Sequence, residues 1–279
     1  MSNTVQTNLN LVKEKALEIR INSLKMIHAA KSGHPGGSLS IADLLSSLYF
    51  GGHMKYNPQN PQAEDRDILV VSKGHSSPAV YSTLGLAGFF NIEETINFRK
   101  LGSPFQGHID SIRVPGVEIS TGSLGHGLSN ANGFAIAAKL DNNKKKVFAI
   151  LSDGELQEGQ SWEAFMAAAH FKLDNLVAII DRNRIQLDGW TEETMALDSL
   201  EDKLKAFNWN TLVIDGHNPE EIDQALNKAY ELAAANNMPV AIIANTVKGK
   251  GVSFMEDQVS WHGVAPKDED LAKALEELK

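Results

Sequence analysis

The sequence contains no cysteine. This absence excludes disulfide bonds, metal sites built from thiolates and a cysteine nucleophile. The chain also has no run approaching the roughly 20 apolar residues that a membrane-spanning helix requires. Its first ten residues, MSNTVQTNLN, lack the apolar core of a signal peptide. Together these absences predict a cytoplasmic protein.

Basic residues are in deficit, with 26 Lys and Arg against 35 Asp and Glu and a net charge of −9. A chain of this charge lacks the basic footprint of a nucleic-acid-binding protein, so neither nucleic acid nor a membrane is predicted as a partner. The 279 residues, of which 42% are hydrophobic and 22% charged, are typical of a globular protein with one large or two small domains.

Short apolar runs alternate along the chain with segments of helical periodicity. The alternation predicts an α/β fold with a mostly parallel sheet and helices on both faces, because strands buried on both sides are continuously apolar. The predicted strands are 68–71, 147–151, 176–180, 211–214 and 240–245. The predicted helices include a first amphipathic one with Leu17, Ile21, Leu24 and Ile27, and others at 41–50, 79–86, 127–139 and 219–235. A Gly-, Pro- and Ser-rich stretch at 98–121 is predicted to be a functional loop.

Polar residues follow two predicted strands at the edge where open parallel sheets bind ligands. Asp153-Gly154 ends one strand and Asn183 follows the next. The Asp153 carboxylate, the Asn183 amide oxygen and the Ile185 carbonyl are the hard oxygen donors that Mg²⁺ prefers. Gly154 would let a phosphate approach the backbone because it has no Cβ. Asp-Gly is also a common turn dipeptide, so the pattern alone leaves a simple turn open.

Four histidines stand in glycine-containing segments. These segments are Ser-Gly-His34-Pro-Gly, Lys-Gly-His75-Ser, Gly-His108 and Ser-Trp-His262-Gly. A lone histidine beside glycine is usually a loop residue with satisfied hydrogen bonds. However, imidazoles titrate near neutrality, so a group of them can donate to a developing oxyanion and exchange protons.

These histidine segments, with Ser120-Thr-Gly-Ser-Leu-Gly125 and Lys248-Gly-Lys-Gly251, resemble the motifs of transketolases in the order of that family. The stretch from Ser152 to Gly189 resembles the thiamine diphosphate signature, a Gly-Asp-Gly followed one strand later by Asn. The sequence departs from it with Ser152 in place of the first glycine and with Arg182 before Asn183. The resemblance covers residues from about 15 to 266 and implies a thiamine-diphosphate-binding fold. It also implies a diphosphate-binding domain at 1–266 and a charged helical tail or linker at 267–279.

The resemblance implies a role for each matching residue. Residues that contact the substrate would be His34, His108 and His262. Residues that bind thiamine diphosphate would be His75, Gly122, Leu124, Gly154, Asn183, Lys248 and His262. Ligands of Mg²⁺, or of Ca²⁺ or Mn²⁺ in its place, would be Asp153, Asn183 and Ile185. Glu158 and Glu163 would form a proton relay between two active sites across a dimer interface, although two solvated helix acids would look the same.

The implied function is ketol transfer from a ketose phosphate to an aldose phosphate. Pentose phosphates are the default substrates, and the pentose phosphate pathway is the expected pathway. Thiamine diphosphate enzymes bind the aminopyrimidine in a second α/β domain, which this chain does not contain. The chain is therefore expected to be the N-terminal subunit of a two-chain transketolase, active as an α₂β₂ complex with a C-terminal subunit that carries the pyrimidine-binding domain. A truncation of a longer chain would look the same.

Three alternatives remain. The α subunit of a thiamine-dependent 2-oxo acid dehydrogenase shares the metal signature, but it is disfavoured by the His34 and His262 segments. A non-catalytic cofactor-binding module would keep the same motifs. A nicotinamide-binding loop at 122–127 is the weakest, because its glycine spacing is GxxGxG rather than GxGxxG.

Overall fold

The strands form a single sheet in the computed structural model, which describes residues 5–279. The first four residues of the predicted 1–266 domain lie outside the described residues. Within the described range the sheet has five strands in the order β1-β2-β3-β5-β4, and every neighbouring pair is parallel. The strands are β1 Ile68–Val71, β2 Val147–Ser152, β3 Leu176–Arg182, β4 Asn210–Asp215 and β5 Val240–Asn245. The predicted fold class is confirmed.

The burial of the strands explains why they lack polar alternation. Every residue of β1, β2 and β3 is buried, because helices cover both faces of the sheet. The edge strand β4 is only partly buried. The predicted end of β3 at Ile180 is wrong by two residues, since Asp181 and Arg182 still pair with β5. Because both residues are charged, a prediction based on apolar runs ends the strand before them.

Ten α-helices are described between residues 5 and 279. They are α1 Leu9–Ala30, α2 Pro35–Ser40, α3 Ala42–Phe50, α4 Ser77–Leu86, α5 Gly127–Leu140, α6 Gly159–His170, α7 Thr191–Thr194, α8 Leu200–Ala206, α9 Pro219–Asn236 and α10 Asp268–Glu277. One core cluster joins α1, α3, α4 and α9 to the sheet, and a second joins α5, α6 and α8 to it. No helix in this range is long and apolar enough to cross a membrane.

The segment between the first predicted helix and the helix predicted at 41–50 contains a further short helix. The first helix, α1, ends at Ala30, with Lys31 in the left-handed conformation at φ 52°. A short additional helix, α2, then begins at Pro35, because proline is accepted in the first turn of a helix. This turn places His34 at the helix N-cap, beside the carboxyl edge of the sheet.

The segment 267–279, predicted as a charged helical tail or a linker, is helical and packs against the rest of the chain. Helix α10 contacts α1. Its Ala274 and the next residue after the helix, Leu278, are buried in a small third core cluster with Leu24 and Met255. The chain from Val252 onward thereby folds back on the first helix.

Candidate active site

The carboxyl ends of the central strands open into a cleft of about 390 Å³. Lys73 follows β1, Asp153 follows β2, Asn183 follows β3 and Lys248 lies shortly after β5. The predicted site residues that line the cleft are His34, His75, His108, Gly122, Leu124, Gly154, Glu158, Asn183, Ile185, Lys248 and His262. Asp153 is fully buried next to Gly154, and Glu163 is exposed on α6 outside the cleft.

The four predicted histidines meet in one cluster. The His34 ring centroid lies 5.2 Å from that of His75, 6.3 Å from that of His108 and 5.5 Å from that of His262. The centroids of His75 and His262 are 5.5 Å apart. The Nδ1 atom of His34 is buried and has no hydrogen-bond partner within residues 5–279. A buried polar atom of this kind needs a partner, which a ligand in the cleft would provide.

Burial keeps these imidazoles neutral. It lowers the pKa of His34 to about 4, with the Arg99 guanidinium as the next cause. It lowers the pKa of His262 to about 3, with Lys248 as the next cause. The pKa values of His75 and His108 are lowered in the same direction, again mainly by burial. At neutral pH each ring therefore has one N–H donor and one acceptor nitrogen.

Lys248 is a buried cation that lines the cleft, with a residue exposure of 2%. Its Nζ donates to the Ile185 carbonyl at 3.0 Å and to His262 Nδ1 at 2.7 Å, so these partners are uncharged. Burial, followed by the nearby Lys73 ammonium, lowers the pKa of Lys248 to about 8. An anion next to Lys248 would reverse this effect. The bond to Nδ1 also leaves the N–H of neutral His262 on Nε2.

The predicted metal ligands provide hard oxygen donors close to this lysine. Asp153 Oδ1 accepts from the Gly154 N–H at 2.8 Å, and Oδ2 accepts from Arg182 Nη1 at 3.1 Å. Asn183 Oδ1 accepts from the Ile185 N–H at 3.1 Å. Burial, followed by the Asp181 carboxylate, raises the pKa of Asp153 to about 6. One carboxylate, one amide and one carbonyl suit Mg²⁺, which completes its shell with phosphate oxygens and water.

At two of the predicted glycines a side chain would clash with a neighbouring residue. A Cβ on Gly154 would lie 2.8 Å from Gln186 Cβ, and Gly122 has φ +142° with a Cβ position 2.7 Å from His108 Cδ2. Leu124, two residues after Gly122, is 37% exposed. Both glycines line the cleft at positions where a side chain would clash with a neighbouring residue.

Sequence reasoning missed a buried ion pair beneath the cleft. Lys73 Nζ pairs with Asp181, and both side chains are essentially inaccessible to solvent. Asp181 Oδ2 also accepts from Ser40 Oγ at 2.8 Å and from Asn183 Nδ2 at 3.0 Å. The pair therefore orients the amide oxygen of Asn183. The available signal was a Lys and an Asp at the ends of two apolar strands.

Two further residues were missed. Glu155 is buried, and its carboxylate accepts from the Gly125 N–H at 2.9 Å and the Ser152 N–H at 3.1 Å, which ties the 122–127 loop to β2. Arg99 lies next to His34 and His108 and donates to Ser32 Oγ at 3.1 Å. It belongs to the irregular segment before residue 121, where no pattern distinguished it.

The chain matches the family model described as "Transketolase, thiamine diphosphate binding domain" over residues 12–278. It is 42% identical to the 6-deoxy-6-sulfo-D-fructose transketolase subunit SqwG of Clostridium sp. (strain MSTE9), and the match covers 96% of each chain. It is 43% identical to an apulose-4-phosphate transketolase subunit of Phocaeicola vulgatus, over 91% of this chain and 89% of the relative.

Longer relatives match over part of their length. Human transketolase is 38% identical over 97% of this chain, which spans 42% of the human protein. The crystal structure of transketolase from Campylobacter jejuni superimposes with a TM-score of 0.90 at 38% identity, and the match covers 97% of this chain and 43% of that one.

Proposed function

Because this chain belongs to the family of the transketolase thiamine diphosphate-binding domain, we propose that it is the diphosphate-binding subunit of a transketolase. It transfers a two-carbon ketol unit from a ketose to an aldose. The observation that supports this best is the meeting of four uncharged imidazoles with a buried lysine and a set of oxygen donors in one cleft.

The cofactor-holding part of the cleft is built around Lys248. When bound, thiamine diphosphate supplies the carbon nucleophile and the electron sink of the reaction. Asp153, Asn183 and Ile185 would hold Mg²⁺, and Lys248 would face the diphosphate as a compact positive charge. The backbone of Gly122 would bind the aminopyrimidine.

The substrate-facing part of the cleft contains His34, His108 and His262. As neutral rings they can donate hydrogen bonds to the carbonyl and hydroxyl oxygens of a sugar and accept protons from them. Their low pKa values mean that a proton taken up by a ring is held weakly and returned readily. Donors fixed in advance and shielded from water stabilise charge that develops on a substrate oxygen.

The proposal includes a second chain that carries the pyrimidine-binding domain. It is supported by the two relatives named as transketolase subunits, which match this chain over nearly their whole lengths. We expect an α₂β₂ complex in the cytoplasm.

The proposed donor is a ketose with a terminal anionic group. The names of the two relatives specify a sulfonated ketose and a phosphorylated one. Pentose phosphates remain the default substrates.

The test is turnover of the chain alone, of the second chain alone and of the mixture, with thiamine diphosphate and Mg²⁺. Ribose 5-phosphate is the acceptor, and the donors are xylulose 5-phosphate, apulose 4-phosphate and 6-deoxy-6-sulfofructose. We expect both chains to be inactive alone and the mixture to transfer ketol from at least one donor. Robust turnover by this chain alone would refute the two-chain proposal. Decarboxylation of pyruvate by the mixture would favour the 2-oxo acid dehydrogenase alternative.

A further inference from the structure

The segment that carries Lys248 is held from behind by a histidine outside the cleft. His217 follows β4, and Val247 follows β5, so both leave the same edge of the sheet. The Val247 N–H donates to His217 Nε2 at 2.8 Å. Gly216 allows this proximity, since a Cβ there would lie 2.5 Å from Thr246 Cγ2.

This hydrogen bond defines the tautomer of the His217 ring. Because Nε2 accepts the backbone N–H, it cannot itself carry a proton, so the proton of the neutral ring is on Nδ1. His217 Nδ1 donates to Asp43 Oδ2 at 2.7 Å. The side chain of His217 is 11% exposed and that of Asp43 8%, so the arrangement is largely shielded from water.

The Asp43 carboxylate is held in turn by Arg20. The two form a salt bridge between α1 and α3, and Arg20 Nε also donates to the Leu39 carbonyl at 3.3 Å. Burial opposes ionisation of Asp43, but the charge of Arg20 and the hydrogen bond from His217 outweigh it, and the pKa of Asp43 is lowered. Asp43 is therefore an anion with a defined direction, which orients the His217 ring.

The backbone beyond Val247 needs such support. Lys248 is buried, although burial disfavours its charge. Gly249, the next residue, has φ +82° and donates its N–H to the Gly36 carbonyl at 3.0 Å. A small rotation at Val247 would move the Lys248 side chain relative to Ile185 and His262.

We propose that His217 is a positioning residue that, oriented by Asp43 and Arg20, fixes the Val247 backbone so that Lys248 can bind the cofactor diphosphate. This inference rests on the proposed function, because it assigns the diphosphate to Lys248. His217 itself does not line the cleft.

Two substitutions separate the two hydrogen bonds of the ring. In His217→Gln the Oε1 atom can replace Nε2 as the acceptor for the Val247 N–H. In His217→Asn the shorter side chain can replace the Nδ1–H donor to Asp43 but does not reach Val247. His170→Asn, at an exposed position at the end of α6, is the matched control.

The measurements are hydrogen exchange of the 246–252 segment in the full chain, thermal unfolding, and binding of thiamine diphosphate with Mg²⁺ to the two-chain enzyme. For His217→Asn we expect about tenfold faster exchange and about tenfold weaker binding, because a buried N–H loses its acceptor. For His217→Gln and His170→Asn we expect values within about twofold of wild type, because Val247 keeps an acceptor.

Three outcomes would overturn the proposal. The first is wild-type exchange in His217→Asn. The second is an equal loss of binding in the Gln and Asn variants. The third is unfolding of both variants, which would make His217 a structural residue of the core. If wild-type protein exchanges as expected but binds no thiamine diphosphate, the proposed function fails while the role of His217 in fixing Val247 stands.

Discussion

Several charged or polar side chains in and around the cleft are buried, so water cannot solvate them. Lys73 and Asp181 solve this by pairing, since a buried ion without a counterion is costly. Lys248 and His34 do not, because Lys248 is bonded to uncharged groups and His34 Nδ1 has no partner in the described chain. These two residues are consequently the ones whose environment a bound anion and a polar substrate would improve.

The metal assignment predicts that Asp153→Ala or Asn183→Ala abolishes metal-dependent cofactor binding. Each substitution removes a hard oxygen donor from a buried site. We expect affinity for thiamine diphosphate with Mg²⁺ to fall by about 100-fold or more, since breaking a buried charge arrangement costs about 3–5 kcal/mol. Isothermal titration measures this. Asp174→Ala removes an equivalent carboxylate from a half-exposed pair with Lys139 and serves as the control. Unchanged affinity in the Asp153 and Asn183 variants would disprove the assignment.

The proposed contacts of His34 and His262 with the substrate predict a kinetic effect without a change of fold. His34→Ala and His262→Ala should each lower kcat/KM of the two-chain enzyme by about 10-fold to 1000-fold, because a hydrogen-bond donor or proton acceptor at the reacting oxygens is lost. Steady-state kinetics and circular dichroism together provide the measurement. His170→Ala is the control. Full ketol transfer by both site variants would make these histidines structural.

The low pKa of His34 predicts a pH dependence of stability. Unfolded, the ring takes up a proton as the pH falls below about 6.5, whereas the folded ring resists until about pH 4. The unfolded state thus binds more protons between these values, and the free energy of unfolding should fall as the pH is lowered through that window. In His34→Asn this decline should be shallower. Urea denaturation at pH 5 and pH 7 measures the difference, and an identical decline in both proteins would contradict it.

The site residues that line the cleft lie at the ends of strands and helices or in the loops between them. Ser152 at the end of β2 and Asn183 directly after β3 line the cleft, and α2 begins directly after His34. The last helix, α10, has another function. Its C-cap residue, Leu278, packs so close to Gly251 that a Cβ on that glycine would lie 2.8 Å from Leu278 Cδ2. Helix α10 therefore supports the segment that follows Lys248.

This packing predicts that α10 contributes to stability. Ala274→Glu would place a charge in the third core cluster and should lower the free energy of unfolding by about 2–3 kcal/mol, as overpacked and polar substitutions in a core do. Ala272→Glu makes the same change at an exposed position of the same helix and should cost less than about 0.5 kcal/mol. Chemical denaturation compares the two. Equal stabilities would show that α10 is a dispensable tail.

At the scale of the whole molecule, one side of the cleft consists of exposed apolar and acidic residues. Leu187 is 61% exposed and Leu124 37%, and the exposed Glu158 lines the cleft at the N-terminus of α6. Exposed apolar side chains around a binding cleft are typical of a surface that another chain covers. This arrangement agrees with the proposed second chain.

The proposed assembly predicts the mass of the complex and a dependence of its activity on Glu158 and Glu163. The mixture of both chains should sediment as α₂β₂. The double substitution Glu158→Ala and Glu163→Ala should leave the fold of this chain intact and lower the activity per complex, because both acids are exposed here and would act across the interface. Analytical ultracentrifugation and kinetics test this, with Glu276→Ala as an exposed control. An αβ complex of full activity would contradict the relay.

The sequence by itself determined the fold class, the five strands and their order along the chain, and, through its resemblance to transketolases, the cofactor. These depend on local patterns: buried parallel strands are continuously apolar, and glycine-histidine motifs sit at their ends. Only the tertiary structure decided which distant residues meet. Lys73 and Asp181, 108 positions apart, pair beneath the cleft, and His217 binds the Val247 backbone from a neighbouring strand end. Likewise, Asp181 and Arg182 proved to be strand residues, and the last segment, predicted as a helical tail or a linker, proved to be a helix that packs on the core. The role of a polar residue depends on the group to which it is hydrogen-bonded. That group is often distant in sequence, and only the packing of the whole chain brings the two together.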